Sequence, residues 1–363
     1  MKSQALSPLP LESERIEQRV VSIGPAPGWD HIGVLAAIPN QRQLMVPSQD
    51  GDTLSIVNLD RHIIEATIAL RQGGVPWHAR VTPDGKHAFV TNTEFTGHVD
   101  TCPTTNSTVS VVDLQRRKMV EEIPVGAGPV MLEMDSKRNR AYVTNRVSNT
   151  LSVIDLTTRL VTDTVKVGTA PFWVALTQKQ DLLVVANFQD ATLSLINPDT
   201  LAVERVVQVG TPGLDDPDPE YGAGDTMGFA IDRRGVAHIA NWRSSEVVSV
   251  DVYRALSQGE SAILGRQRIL NRPFAIELQE DLGMMIVGSY EVQNSRLAIV
   301  DLASGEPGSR PIISDIPANG SVLPEGRASH VNYWFNVPFE TRVIGIVPKE
   351  KGLQPPEIVA AIL

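Results

Sequence analysis

Three Val-Gly pairs, at 125–126, 167–168 and 209–210, end successive stretches of the sequence and stand 42 residues apart. The stretch 141–168 shows what one unit contains. It reads AYVTN, a polar turn at 146–149, TLSVID, a second turn at 156–159, and an apolar run at 161–167. Each run is rich in Val, Ile, Thr or Tyr and alternates, which favours pleated, half-buried backbone. A few short strands joined by tight turns cannot bury both of their faces alone, so each unit needs neighbours like itself. A fixed period near forty, with four strands per unit, predicts a β-propeller.

Counting along the chain predicts seven blades in one domain over 1–363, after an arm at 1–14. Blade 1 covers 29–70, with inner strand 32–38. Blades 2, 3 and 4 end at Gly126, Gly168 and Gly210. Blade 5 carries a helical piece at 253–258 and an outer strand near Ile269. Blade 6 covers 272–315, and blade 7 has strands at 330–336, 342–347 and 357–363. Blade 7 lacks one strand. Residues 16–24 (IEQRVVSIG) read like the last strand of a unit, as in 203–210 (VERVVQVG), but precede any unit. They therefore fit as the outer strand of blade 7, closing the ring and removing its open edges. Two insertions interrupt the repeat, at about 94–107 and 211–225.

The repeat words carry a resemblance. Residues 89–92 (FVTN) and 142–145 (YVTN), 108–114 (TVSVVDL) and 150–156 (TLSVIDL), the Gly-x-x-Pro words from Gly126 and Gly168, and 81–85 (VTPDG) resemble the signature of the YVTN family of β-propellers. The resemblance covers blades 1 to 4 closely and the rest loosely. It implies architecture more than function, because that family includes binding proteins, surface-layer components, lactonase-like and lyase-like enzymes and relatives of metal and haem oxidoreductases.

A formal net charge of −10 argues against nucleic acid and acidic membrane surfaces as partners. The single cysteine, Cys102, excludes an intrachain disulfide. No apolar run is long enough for a membrane helix, and 1–19 lacks the apolar core of a secretory signal. The expectation is a cytoplasmic protein with a small-molecule partner, although a chain trimmed of its signal and given a new Met reads the same way.

In a propeller the connection into each inner strand and the loop between second and third strands share one face. Three blades consecutive around the ring bring histidines there. His31 and His330 occupy one repeat position when aligned on Pro39 and Pro338, and His78 lies about three places further along. Blade 5 brings Asp225. Three imidazoles and a carboxylate can hold a divalent transition metal, Zn, Cu or Fe, with an open position. Asp30 and Glu325 are the candidate acceptors for the outer ring nitrogens. The insertion at 94–107 adds His98, Asp100 and Cys102 as a further ligand, acid or nucleophile. The plainer reading is a polar channel that binds water, under a lid with an idle thiol.

The insertion at 211–225 (TPGLDDPDPEYGAGD) is acidic, but its spacing is not that of an EF-hand. Asn92, Asn145, Asn187 and Asn241 recur at second-strand ends, which predicts a structural role with side chains bonding local backbone. His62, His87 and His238 read as surface or packing residues. No phosphate loop, nucleophile elbow or HExxH word is present. Two function classes remain open. One is a metal-dependent enzyme acting on a small molecule at the channel mouth, of lyase, cyclase or oxidoreductase type. In it His31, His78 and His330 are ligands and His98, Asp225 and Cys102 catalytic. The other is a non-catalytic propeller that holds a protein or small ligand.

Overall fold

The computed structural model describes residues 17–22, 33–39, 41–49, 51–61, 63–93, 107–213, 224–289, 296–317, 332–337, 342–347 and 357–362. The predicted residues His31, His98, Cys102 and His330, with Asp30, Asp100 and Glu325, lie outside them. The described strands form seven four-stranded sheets, antiparallel throughout, as expected of an all-β propeller. Blade 2 is typical, with Pro76–Val81 innermost, then His87–Asn92, Thr108–Asp113 and Lys118–Pro124. The outer strand Lys118–Pro124 alternates and buries only Ile123, whereas Thr108–Val112 is buried throughout. Middle strands covered on both faces and outer strands covered on one reproduce the binary pattern of the sequence. The seventh sheet joins Asn332–Val337, Arg342–Val347 and Glu357–Ile362 to Glu17–Ser22, with Glu17 opposite Ile362 and Ser22 opposite Glu357.

The repeated words have side-chain reasons. Asn92 Nδ2 donates to Thr108 Oγ1 at 2.9 Å and Ser110 Oγ at 2.8 Å. Asn145 does the same to Thr150 and Ser152, and Asn187 to Thr192 and Ser194. The expected partner was local backbone. In blades 2 to 4 the Nδ2 partners are instead hydroxyls of the third strand, which explains why each of these three Asn is followed by a Thr-x-Ser. Backbone partners, distant in sequence, are also used, Asn187 Oδ1 accepting from the Gly168 amide at 3.1 Å and Asn241 Nδ2 donating to Val209 O at 2.9 Å. The unit-ending glycines lie against these amides. A Cβ on Gly126 would stand 2.5 Å from Asn145 Nδ2, and one on Gly168 2.6 Å from the Asn187 side chain. No larger residue fits that approach.

The threonine of each VTN word ties blades together. Thr91 Oγ1 accepts from the His78 amide at 3.1 Å and donates to Val130 O, one blade on, at 2.6 Å. Thr144 Oγ1 repeats this between the Met131 amide (3.1 Å) and Phe172 O (2.8 Å). Blade 4 has Ala186 at this position and blade 5 has Ala240, so among these four blades the tie belongs to blades 2 and 3.

Two strand expectations are corrected. The inner strand of blade 1 is only Ala36–Ala37. Before it, Val34 forms a parallel bridge to His78, its amide donating to Trp77 O at 2.6 Å. The outer strand of blade 5 is Ile263–Gln267, ahead of Ile269. The helix Val252–Gln258 is where it was expected, capped by the Asp251 carboxylate on the amides of Tyr253 and Arg254.

Candidate functional site

Four inner strands begin at a proline, Pro76, Pro129, Pro171 and Pro273. The residue before each lies at positive φ: Val75 at 49°, Gly128 at 65°, Ala170 at 52° and Arg272 at 46°. A pre-proline residue avoids that region, and a β-branched one more so. The mouth into which the inner strands open is thus a ring of strained entrances, each costing about 1–3 kcal/mol where the residue is not glycine.

The residue after each proline builds the centre. Phe172 of blade 4 meets Trp77 of blade 2 edge-on at 6.0 Å and Phe274 of blade 6 edge-on at 6.2 Å. Non-adjacent blades of a ring can share one contact only near its axis, so Phe172 stoppers the centre. Trp173 stacks on it at 6.4 Å, and Trp242 of blade 5 meets Phe274 at 6.0 Å. The residues following the repeated asparagines, Arg146, Phe188 and Trp242, surround this stopper. Arg146 Cζ lies 5.6 Å from the Phe172 centroid and 5.1 Å from that of Phe188. Arg272 Cζ lies 5.3 Å from that of Trp242. Both arginines are half-buried, so each cation–π contact is partly desolvated.

The described residues that flank both insertions lie on this face. Ser107 Oγ, where the first returns, accepts from the Gly128 amide, and Gly128 O accepts from the Arg146 amide. The second leaves after Gly213, whose amide donates to Gln189 O. It returns through Asp225, whose amide donates to Phe188 O. Arg146 therefore sits between the roots of both insertions.

Asp225 and His78 are the predicted site residues within the described chain. Asp225 is fully buried. Its Oδ1 accepts from the amides of Arg243 (2.8 Å) and Ser244 (2.9 Å), and its Oδ2 from the Thr211 amide (3.0 Å) and the Ser244 hydroxyl. Four donors occupy its lone pairs, so it holds the ends of the insertion together. Gly210, the third unit-ending glycine, is where a Cβ would meet Asp225 Oδ2 at 2.6 Å.

His78 is 2 % exposed, and its Nδ1 lies 3.1 Å from the Leu132 amide. A backbone N–H only donates, so Nδ1 accepts and the ring proton sits on Nε2. Burial, and secondarily the Arg80 charge, hold its pKa well below the ordinary value, so the ring stays neutral. In this tautomer His78 joins blade 2 to blade 3 and offers no lone pair to a metal. Among the described residues no three His, Cys, Asp or Glu side chains converge as a ligand set.

Sequence reasoning missed Arg146, Arg272 and the aromatic stopper because it sorted histidines and acids. The signal was present at three repeat positions: before the entry proline, after it, and after the repeated asparagine.

No curated protein matches the sequence. Among solved structures the chain is similar to the Kuenenia stuttgartiensis hydrazine synthase, at 16% identity and a TM-score of 0.64, covering 88% of this chain and 92% of that one. At that identity the likeness shows the fold. Residues 12–213, more than half of the chain, match the family described as Lactonase, 7-bladed beta-propeller, and the chain belongs to that family of β-propellers.

Proposed function

We propose that this propeller is an enzyme that opens a lactone ring at the face carrying Arg146 and Arg272. The observation that carries the reading is two half-buried guanidinium groups laid on aromatic rings around the stoppered centre, in a chain of the lactonase family. In ring opening, the oxygen of water bonds to the acyl carbon and the ring C–O bond breaks. The water proton passes to the departing oxygen, leaving a hydroxy acid. Negative charge grows on the acyl oxygen and stays on the product carboxylate, and fixed guanidinium groups stabilise both. The aromatic floor takes the apolar face of the ring. The insertions at 94–107 and 211–225 act as lids rooted beside Arg146.

His31 and His330 would hold a transition metal, with His98 and Cys102 as further candidates, and such a metal would supply the activation of water. His78 and Asp225 we assign to holding blades and loops. We also take the seventh sheet, shared by both chain ends, to be the closure of the ring, and the VTN words to be YVTN-type repeats.

The test is acid release from a panel of γ- and δ-lactones, before and after loading with Zn, Cu or Fe. Arg146→Ala and Arg272→Ala are each expected to lower kcat/KM about 100-fold, the usual effect of removing one oxyanion donor, with folding intact. No acid release by the wild-type protein under any loading would overturn the enzyme reading in favour of a binding propeller.

A further inference from the structure

The opposite face, built from the turns between first and second and between third and fourth strands, carries a cleft that the proposed reaction does not use. It lies between blades 2 and 3, holds about 530 Å³, and is lined by Asp84, His87, Glu121, Asn139, Thr157 and Arg159 among others. Its origin shows at the next junction round the ring. Between blades 3 and 4 the corresponding groove is filled by Arg138, whose side chain is 8% exposed. The Arg138 guanidinium donates to Asp135 Oδ2 at 3.0 Å, Asp199 Oδ1 at 2.6 Å and Gln180 O at 2.8 Å. Counting back from Asn145 and Asn92 puts Gly85 at the register position of Arg138. Gly85 has a φ of 72°, and a Cβ built on it meets nothing within 4 Å. One junction is thus filled by the guanidinium of its first turn; at the other that turn supplies no side chain, and the guanidinium in the lining, Arg159, comes from the neighbouring blade.

The carboxylates change place accordingly. Thr82 stands where blade 3 has Asp135, and Thr157 where blade 4 has Asp199, so both acids that grip Arg138 are gone. Two others take over, Asp84 from the turn of blade 2 and Glu121 from its outer strand. Glu121 Oε2 pairs with Arg159 Nη1 at 2.9 Å, and Arg159 Nη2 donates to His87 Nε2 at 3.0 Å. Lys86 approaches Asp84 only at 4.0 Å, and both of these side chains are at least half exposed. Within the lining, two carboxylates face one guanidinium, and the chain as a whole carries −10.

From the side chain missing at Gly85, the open volume beside Thr82 and Thr157 and the relocated carboxylates, we infer that this cleft binds a slim organic cation, a guanidinium or primary amine on an aliphatic stem, in the position Arg138 fills next door. The site is independent of the lactone reading and lies on the other face.

The probe is agmatine, titrated calorimetrically into the full chain. Saturable one-site binding is expected. Asp84→Asn and Glu121→Gln should each weaken it about 5-fold, as loss of one half-exposed charge pair does. Gly85→Arg should weaken it at least about 10-fold by occupying the same position. If Gly85→Arg does not fold, the two carboxylate variants decide alone. Absence of saturable binding by the wild-type chain overturns the inference. So does wild-type affinity in both carboxylate variants, or binding of inorganic phosphate in place of agmatine.

Discussion

Blades 2 to 4 and blade 5 share one backbone pattern and hold it by different chemistry. In blades 2 to 4 the second strand ends on an Asn that bonds two third-strand hydroxyls. In blade 5 Asn241 turns its amide to Val209 O instead, and Asp225 gathers the turn amides. Three residues before that Asn, blades 2, 3 and 4 place Phe89, Tyr142 and Val184, all buried. Blade 5 places His238 there, fully buried, with Nδ1 2.9 Å from Ser249 Oγ. The difference teaches that the repeat specifies backbone and burial, while charge and titration can be concentrated in one blade without changing either.

The largest expected effect comes from removing the device peculiar to blade 5. Asp225→Ala removes a fully buried carboxylate and leaves the amides of Thr211, Arg243 and Ser244 without their acceptor, and should cost about 3 kcal/mol in chemical denaturation. A loss below about 1 kcal/mol would mean the turn holds itself, as in blades 2 to 4.

Acid provides the next test. Burial, and secondarily the Arg310 charge, lower His238 to about 4. The unfolded chain, with an ordinary imidazole near 6.5, binds more protons between these values. Stability should therefore be full above about pH 6.5 and fall by about 3 kcal/mol as pH drops towards 4. His78, shifted in the same direction, adds to the fall. His238→Phe, which restores the residue type of blade 2, should flatten this slope. An unchanged slope in that variant would place the acid sensitivity elsewhere.

Thr144→Val tests the regular region. It removes the hydroxyl shared by the Met131 amide and Phe172 O, and about 1–2 kcal/mol of stability should go with it. Ala186→Thr in blade 4, where that tie is missing, supplies the hydroxyl and should recover part of that amount if the next strand is in reach. The smallest effect concerns the strained entrances. Arg272→Gly relieves a φ of 46° and should stabilise by about 0.5–1 kcal/mol, while lactone turnover falls. A variant both less stable and fully active would detach the strain from the site.

Much of the fold was legible in particular residues. The glycines at 126, 168 and 210 marked the units because each lies against a polar side chain of the next blade. Glu17–Ser22, within the strand-like word ahead of blade 1, pairs with Glu357–Ile362. The site was less legible. His78 looked like a ligand, yet it is a seam between blades, because only the Leu132 amide opposite fixes its tautomer. Asp225 looked like an acid facing the mouth, yet its lone pairs are filled by turns distant in sequence.

The sequence by itself determined the period and most of the strands, since these follow from local alternation and turn chemistry. Only the tertiary structure decided what each repeated position touches. The angle between blades brings Trp77, Phe172 and Phe274 together at the axis and lays Arg146 on two rings. It also fills one junction with Arg138 and leaves the next open at Gly85. These contacts join residues from different blades, and their energies depend on distances that a one-dimensional pattern does not carry.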